Sequence, residues 1–390
     1  FNELDRHVLA GHGDSVSLVG VPPGDAVACE SVELRLLLDE SAVMAHALVG
    51  ELGLAPPHSR LAIYLPNDAR AVTCIEASKR LGAVYVAVAS GTSSHALAGR
   101  LVDTATAVLL SSSEVIATAR EARRLAANQM GRPAVGVLVP RFTHALRAAS
   151  FGCGDDDDAA VDVAVLDGWQ SATSALHSAR ERLLELRNGG GGGRASLTSP
   201  AAAQAAEAAR QRVEALWRLS LPRPVESNWP LFILYTSGST GRPKGIVHTH
   251  GGYEVGLCLT SRAVFDLQPN ADMLLVIATP GWITGQSYMI AAALLCRVPS
   301  ILLEGSPVAP PDRFAATIER HGATVLKAGS TFLRMLMTIP ESDVVVGSRD
   351  LSSLRVGTFC AEPVNGAVHA FAQRHLTPYY INSYWATEHG

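Results

Sequence analysis

The sequence predicts an α/β fold of doubly wound sheets covered by helices, and three observations carry that prediction. Short apolar, β-branched runs alternate with amphipathic helical stretches over two long regions. The apolar runs are continuous, as strands buried on both faces should be. Hydrophobic residues make up 48% of the 390 residues, enough for a large core without cross-links.

In the first region, strands are expected at 61–65 (LAIYL), 84–88 (VYVAV), 107–110 and 135–139, with helices at 71–81, 95–102 and 114–128. The second region repeats the rhythm. Its strands are expected at 231–235, 274–278, 300–303, 324–327, 354–358 and 379–381, and its helices at 253–264, 286–296, 312–321, 331–338 and 365–375. Parallel sheets of this kind take their ligands beyond the carboxyl ends of the strands. Residues 151–224 differ in kind, with four consecutive Asp (155–158), five consecutive Gly (189–193) and an Ala-rich helical tract at 201–219. A Gly run cannot pack and consecutive like charges are solvated, so this stretch reads as a low-complexity, partly helical insertion. The expected organisation is a first α/β subdomain at 1–150, the insertion at 151–224, and a second α/β subdomain at 225–390 that carries the site.

Composition narrows the function classes. Charged residues are 17%, against a norm of about 25%, and the net charge is -4, so no electrostatic footprint for nucleic acid is expected. The basic stretch Arg120 to Arg124 reads as a solvated helix face. No apolar run reaches the ~18 residues of a membrane span. The six cysteines (Cys29, Cys74, Cys153, Cys258, Cys296, Cys360) are scattered without a Cys-x-x-Cys pair, which suits a reducing compartment. The cytoplasm is expected, or an organelle matrix, since a chain opening on Phe1 shows no targeting segment to read. His248 and His250 form an H-x-H pair, but no third ligand stands at metal spacing.

The segment LFILYTSGSTGRPKGIVH, residues 231–248, is the most informative in the chain. An apolar strand runs into a loop dense in Gly, Ser and Thr. Gly238, Gly241 and Gly245 let backbone N–H groups approach an anion. Thr236, Ser237, Ser239 and Thr240 add hydroxyls, and Lys244 adds a point charge, so the loop can grip a polyphosphate. It is not a Walker A loop, because Lys244 follows Pro243 and precedes Gly245, and it does not fit Gly-x-Gly-x-x-Gly.

YTSGSTGRPKG resembles the signature phosphate loop of the adenylate-forming (AMP-binding) superfamily: acyl-CoA synthetases, luciferases and nonribosomal adenylation domains. Other segments resemble the short-chain acyl-CoA synthetases of that group. PGWITGQSY, from Pro280 to Tyr288, is similar to the GWxTGxSY stretch of acetyl- and propionyl-CoA synthetases. LSSLR at 351–355 followed by Ala361-Glu362-Pro363 is similar to their DLSSLR…GEP segment, and Tyr384 to Gly390 (YWATEHG) to the YWxTExG motif. FNELDRH at 1–7 is similar to their NCLDRH opening. WATEHG looks most like the synthetase segment of propionyl-CoA synthase enzymes. Trp229 stands where the family usually has Asp, and Ala361 where it has Gly.

The resemblance implies the large N-terminal domain of the adenylate-forming fold and a function: ATP-dependent activation of propionate, 3-hydroxypropionate or acetate to an acyl-adenylate and then to acyl-CoA. ATP, Mg²⁺ and coenzyme A are the implied co-substrates and metal. Thr387, Glu388 and Lys244 are the implied catalytic residues, with Glu388 as the Mg²⁺ carboxylate. Thr236, Ser237, Gly238, Ser239, Thr240, Gly241, Lys244 and Thr387 would bind the ATP phosphates. Ala361, Glu362, Pro363, Asn382, Ser383 and Tyr384 would line the adenine site, and Ile283, Thr284, Cys360 and Trp385 the acyl pocket. The family's ribose Asp, hinge and C-terminal lid domain have no counterpart before Gly390, so the expectation is of an incomplete fold. Two other readings stand beside this one: a non-catalytic nucleotide-binding remnant, and a carrier-protein or luciferase-like ligase, against which GWITGQSY and Trp385 speak.

Overall fold

The computed structural model describes residues 2–23, 29–50, 54, 56, 59–130, 136–138, 221–236 and 243–390. The insertion expected at 151–224 therefore lies outside the described residues, apart from its last four positions. Thirteen strands form among the described residues: β1 (Val16–Val21), β2 (Glu30–Glu33), β3 (Arg60–Leu65), β4 (Val84–Ala89), β5 (Val108–Leu110), β6 (Gly136–Leu138), β7 (Pro230–Thr236), β8 (Lys244–Thr249), β9 (Leu274–Ile277), β10 (Ser300–Leu303), β11 (Val325–Gly329), β12 (Val356–Cys360) and β13 (Tyr380–Asn382). They make a seven-stranded sheet of order β13-β12-β11-β9-β10-β1-β2 and a six-stranded sheet of order β6-β5-β3-β4-β7-β8.

Strands from both sides of residue 225 enter each sheet. β1 pairs in parallel with β10, far along the chain, and β7 pairs in parallel with β4. The purely parallel rhythm expected from sequence is corrected at one edge of each sheet. β2 runs antiparallel to β1, and β8 antiparallel to β7, giving mixed sheets. β8 reads K-G-I-V-H-T and is half-exposed, as an edge strand with one solvated face should be.

The parallel strands β1, β3, β4, β5, β9, β10 and β11 send alternate residues to opposite apolar layers. Leu18 of β1 enters a central core, whereas Val19 and Val21 enter an outer one. The central core joins one face of both sheets and is filled by the helices Leu34–Gly50, Ala69–Leu81 and His250–Ala263 and the helical run from Gly285 to Cys296. The outer face of the larger sheet is covered by Arg313–His321, Ser330–Met337 and Gly366–His375. The outer face of the smaller sheet is covered by Ser94–Asp103 and Ile116–Met130. The result is five layers, αβαβα, with a shared middle layer of helices.

Local sequence explains where these helices start and stop. Asp68 caps Ala69–Leu81 by accepting from the backbone N–H groups of Arg70 and Ala71, and Gly82 closes the helix in the left-handed region. Asn365 caps Gly366–His375 through the N–H of Val368. Trp229 donates its indole N–H to the Gly82 carbonyl at 3.0 Å, so its departure from the family's Asp serves the packing of a helix end. On the helix Ile116–Met130, Arg124 pairs with Glu121 in solvent, which matches the solvated face expected of the 120–124 stretch.

Candidate active site

The described residues enclose a cavity of about 520 Å³ where the carboxyl ends of the parallel strands of the larger sheet meet the β7–β8 hairpin of the smaller one. Thr236 ends β7 and Lys244 begins β8, and the two are register partners across the antiparallel pair. Both residues line the cavity, which brings a hydroxyl-bearing and an ammonium-bearing side chain to the same space. Ser237, Gly238, Ser239, Thr240 and Gly241, assigned to phosphate binding from sequence, lie outside the described residues.

Trp282, Ile283 and Thr284 line the opposite side, on the turn that follows β9. Glycine is required twice in this turn. A Cβ on Gly281 would sit 2.2 Å from the backbone N of Ala89 at the end of β4, and one on Gly285 would sit 2.0 Å from the Thr279 carbonyl oxygen. Only bare backbone lets the turn press against the other sheet while opening into the π-helical stretch Gly285–Ala291. Ile283 and Thr284 are buried there. Cys360, at the end of β12, is not part of the lining, but its Sγ lies 3.7 Å from Thr284 Oγ1.

Ala361 follows Cys360 and faces the cavity with φ of 78°. This left-handed conformation strains any residue with a Cβ, which gives a backbone reason for the Gly that the family usually carries there. Glu362 and Pro363 turn away from the lining. The Glu362 carboxylate accepts from Ser330 Oγ at 2.9 Å and Arg334 Nη1 at 2.6 Å, while Arg334 also donates to the Pro363 carbonyl. Hydrogen bonds from Ser330, Thr331 and Arg334 hold that carboxyl below its usual range. Asn382 and Tyr384 are exposed around the end of β13, and Ser383 donates to the Phe359 carbonyl.

The remaining wall is Trp385, Ala386, Thr387 and Glu388. The Trp385 ring meets Tyr288 edge-on with centroids 5.2 Å apart. Thr387–His389 form a single 3₁₀ turn, and the Ala386 N–H donates to His389 Nδ1 at 3.2 Å. The cavity therefore brings together Thr236, Lys244, Ile283, Thr284, Ala361, Trp385, Thr387 and Glu388 of the residues assigned from sequence. It adds Trp282 and Ala386.

For a hard divalent cation the donor set fits. Glu388 offers an exposed carboxylate, and the Thr236 and Thr387 hydroxyls face the same space. One carboxylate beside a polyphosphate site suits Mg²⁺, which keeps several waters and takes phosphate oxygens. The two histidines of the H-x-H pair part company. His248 is buried against Phe232 with ring centroids 4.7 Å apart, behind the Thr387–Glu388 turn. His250 begins the next helix, where burial pushes its imidazole down to about 4.

Lys327 carried no sequence signal, because it stands in an ordinary apolar strand, β11. Its side chain is buried, and Nζ donates to Ser383 Oγ at 2.7 Å. The same ammonium lies 4.4 Å from the Tyr288 ring centroid, 5.1 Å from that of Phe265 and 5.8 Å from that of Trp385. Only the three-dimensional convergence of four elements reveals this cage.

Fold and cavity together define an α/β protein with a cleft that pairs Thr236 and Lys244, at adjoining ends of β7 and β8, with a Thr-Glu turn beside an indole-walled pocket. The chain belongs to the AMP-binding enzyme family, whose pattern matches residues 7–390. It is 33% identical to the acetyl-coenzyme A synthetase of Streptomyces avermitilis over 404 aligned positions, covering 100% of this chain and 52% of that protein. It is 32% identical to the acetyl-coenzyme A synthetase of Mycobacterium tuberculosis over 397 positions, covering 100% of this chain and 53% of that protein. Against the acetyl-coenzyme A synthetase of Pyrobaculum arsenaticum the identity is 42% over 173 positions, 43% of this chain and 25% of that one. The chain spans about half the length of the curated relatives it matches most fully.

Proposed function

We propose that the protein carrying this chain is an AMP-forming acid–CoA ligase for a short-chain carboxylic acid. The observation that carries this reading is the single cavity shared by Thr236 and Lys244, by Thr387 and Glu388, and by the Trp282–Thr284 turn and Trp385. Phosphate-binding and acyl-binding groups from two sheets face one space, as a reaction between a carboxylate and a nucleotide phosphate requires.

In the first step a carboxylate oxygen bonds to the α-phosphorus of ATP, and the bond to pyrophosphate breaks. In the second, the thiolate of coenzyme A bonds to the acyl carbon, and the C–O bond to AMP breaks. Lys244 and the hydroxyls of Thr236 and Thr387 orient the phosphates and offset their charge. Glu388 would hold Mg²⁺, which supplies charge neutralisation on the phosphate oxygens. Ile283, Thr284 and Trp385 close around the acid, with Cys360 behind Thr284. Ala361 would approach the adenine, with Asn382, Ser383 and Tyr384 at its rim. The buried turn and the indole leave room for a few carbons.

Within that class, propionate and 3-hydroxypropionate are favoured over acetate. Ala386 lines the cavity beside Trp385, and its short side chain leaves space where the acetate enzymes usually carry Gln. One methylene in an apolar pocket is worth only about 1–3 kcal/mol, so the preference is one of degree. The test is acid-dependent ATP–pyrophosphate exchange by the full-length protein with acetate, propionate and 3-hydroxypropionate. Exchange with at least one acid, fastest with the three-carbon acids, is expected. Exchange with none of the three overturns the reading.

A further inference from the structure

A buried lysine with no carboxylate partner is costly, since burial removes the water that solvates the ammonium. Lys327 is 1% exposed, and among the described residues its only hydrogen bond is to the neutral Ser383 hydroxyl. The rings of Tyr288, Phe265 and Trp385 supply cation–π contacts, which offset only part of that cost. Two of its neighbours connect it to the cavity. Trp385 is itself a cavity wall, and Cys360, at the end of the adjacent strand β12, contacts the wall residue Thr284.

We infer that Lys327 is the electrostatic anchor of the acyl pocket: its ammonium, set behind the Trp385 wall, draws the carboxylate of the acid and is compensated by it. This rests on the ligase reading above. The missing counter-charge is then the substrate's own, and the cage of rings keeps water from screening the attraction. The protein would bind the acid as an anion and discriminate against a neutral isostere of the same shape.

Among the described residues, two titratable groups adjoin Lys327: Tyr288 and Cys360. Tyr288, whose ring lies against the ammonium, is pushed up to about 12 by burial and stays neutral. The Cys360 thiol adjoins on β12. Burial lowers Lys327 itself to about 8. A lysine that titrates there is charged below that pH and neutral above it. Acid binding should therefore be constant below about pH 7 and weaken as pH rises through about 8.

The experiment uses the full-length protein in ATP–pyrophosphate exchange, with KM for propionate measured from pH 6.5 to 9.5 in roughly half-unit steps, and propionamide as a competing neutral isostere. A unit charge acting over roughly 10 Å at an effective dielectric near 20 changes affinity about tenfold. Lys327→Met should raise the KM for propionate about tenfold at pH 7. It should also abolish the alkaline rise, leaving inhibition by propionamide unchanged. Lys327→Arg should retain tight binding and carry it to higher pH. If Lys327→Met weakens propionate and propionamide equally, the residue merely shapes the pocket and the inference fails. An unchanged propionate KM in Lys327→Met also overturns it. Should Lys327→Met not fold, an alkaline rise in the wild-type KM that Lys327→Arg fails to shift refutes the inference. Absence of exchange in the wild-type protein is a failure of the ligase reading instead.

Discussion

Ala361 offers the sharpest test of how backbone geometry shapes this cavity. With φ of 78°, it holds an L-residue in the left-handed region at the very point where the chain leaves β12 and enters the cavity wall. That conformation costs about 1–2 kcal/mol when a Cβ is present. Ala361→Gly removes the cost but adds chain entropy to the unfolded state, worth about 0.5–1 kcal/mol in the other direction. The net expectation is stabilisation of about 0.5–1 kcal/mol. For a chain of 390 residues, at about 2.1 cal/mol/K of unfolding entropy per residue, that is a rise in Tm of about 1 °C. Ala361→Val supplies the contrast, because a β-branched residue at positive φ is a genuine outlier and should cost about 2–3 kcal/mol, or a fall of about 3 °C. Scanning calorimetry of the three proteins at one scan rate measures the order Gly > Ala > Val. A glycine variant that melts below the parent, or a valine variant that melts with it, would falsify the claim that this position is strained.

Three further outcomes follow from the site and its supports. Glu388→Gln should lower pyrophosphate exchange roughly a thousandfold or more by removing the one carboxylate among the described lining residues, whereas Lys244→Ala should weaken it roughly ten- to a hundredfold; near-parental rates in both would refute the role assignments. Gly281→Ala places a methyl 2.2 Å from the Ala89 backbone, so a loss of about 1–3 kcal/mol is expected, read as a lower melting temperature; unchanged melting would mean that the contact gives way freely. Arg355 pairs with the buried Asp272 at 2.6 Å, and although burial opposes the carboxylate, hydrogen bonds from Arg355, Thr324 and the Gln268 N–H outweigh it and hold the Asp272 carboxyl below its usual range. A depressed carboxyl stabilises the fold above its unfolded value of about 3.9 and loses that contribution as pH falls through the folded value. Arg355→Met should therefore cost about 2 kcal/mol at pH 7, discounted because the guanidinium is partly exposed, and should move acid unfolding to higher pH; a superimposable acid titration by circular dichroism would overturn this.

What was legible in the sequence depended on whether the information was local. Strands buried on both faces announce themselves as apolar runs, so β3, β4, β9 and β10 fall within a residue or so of expectation. Strand β8 escaped because its residues were read as the end of a phosphate loop, and an edge strand with a polar face, K-G-I-V-H-T, lacks the buried pattern. Strands β1 and β2 escaped with the helix Leu34–Gly50, because β2 joins the sheet through β1, and β1 pairs with β10 almost three hundred positions away. Pairing of that range leaves no trace in local periodicity.

The site divides along the same line. Thr236, Lys244, Thr284, Trp385 and Glu388 sit in dense motifs and were found from them; the cavity places them on a common surface. Glu362 stood in an equally recognisable motif, yet its carboxylate holds Ser330, Thr331 and Arg334 rather than facing the cavity. A motif thus marks a segment whose backbone position matters, but which of its side chains meets ligand is decided by neighbours from other elements. Lys327 shows the converse. Nothing in V-L-K-A-G marks it, and its meaning arises from Phe265, Tyr288, Ser383 and Trp385, contributed by three separate segments. Motif segments can supply the reacting contacts while an unmarked core residue sets the field in which they work, because electrostatics in a buried site is governed by what surrounds it.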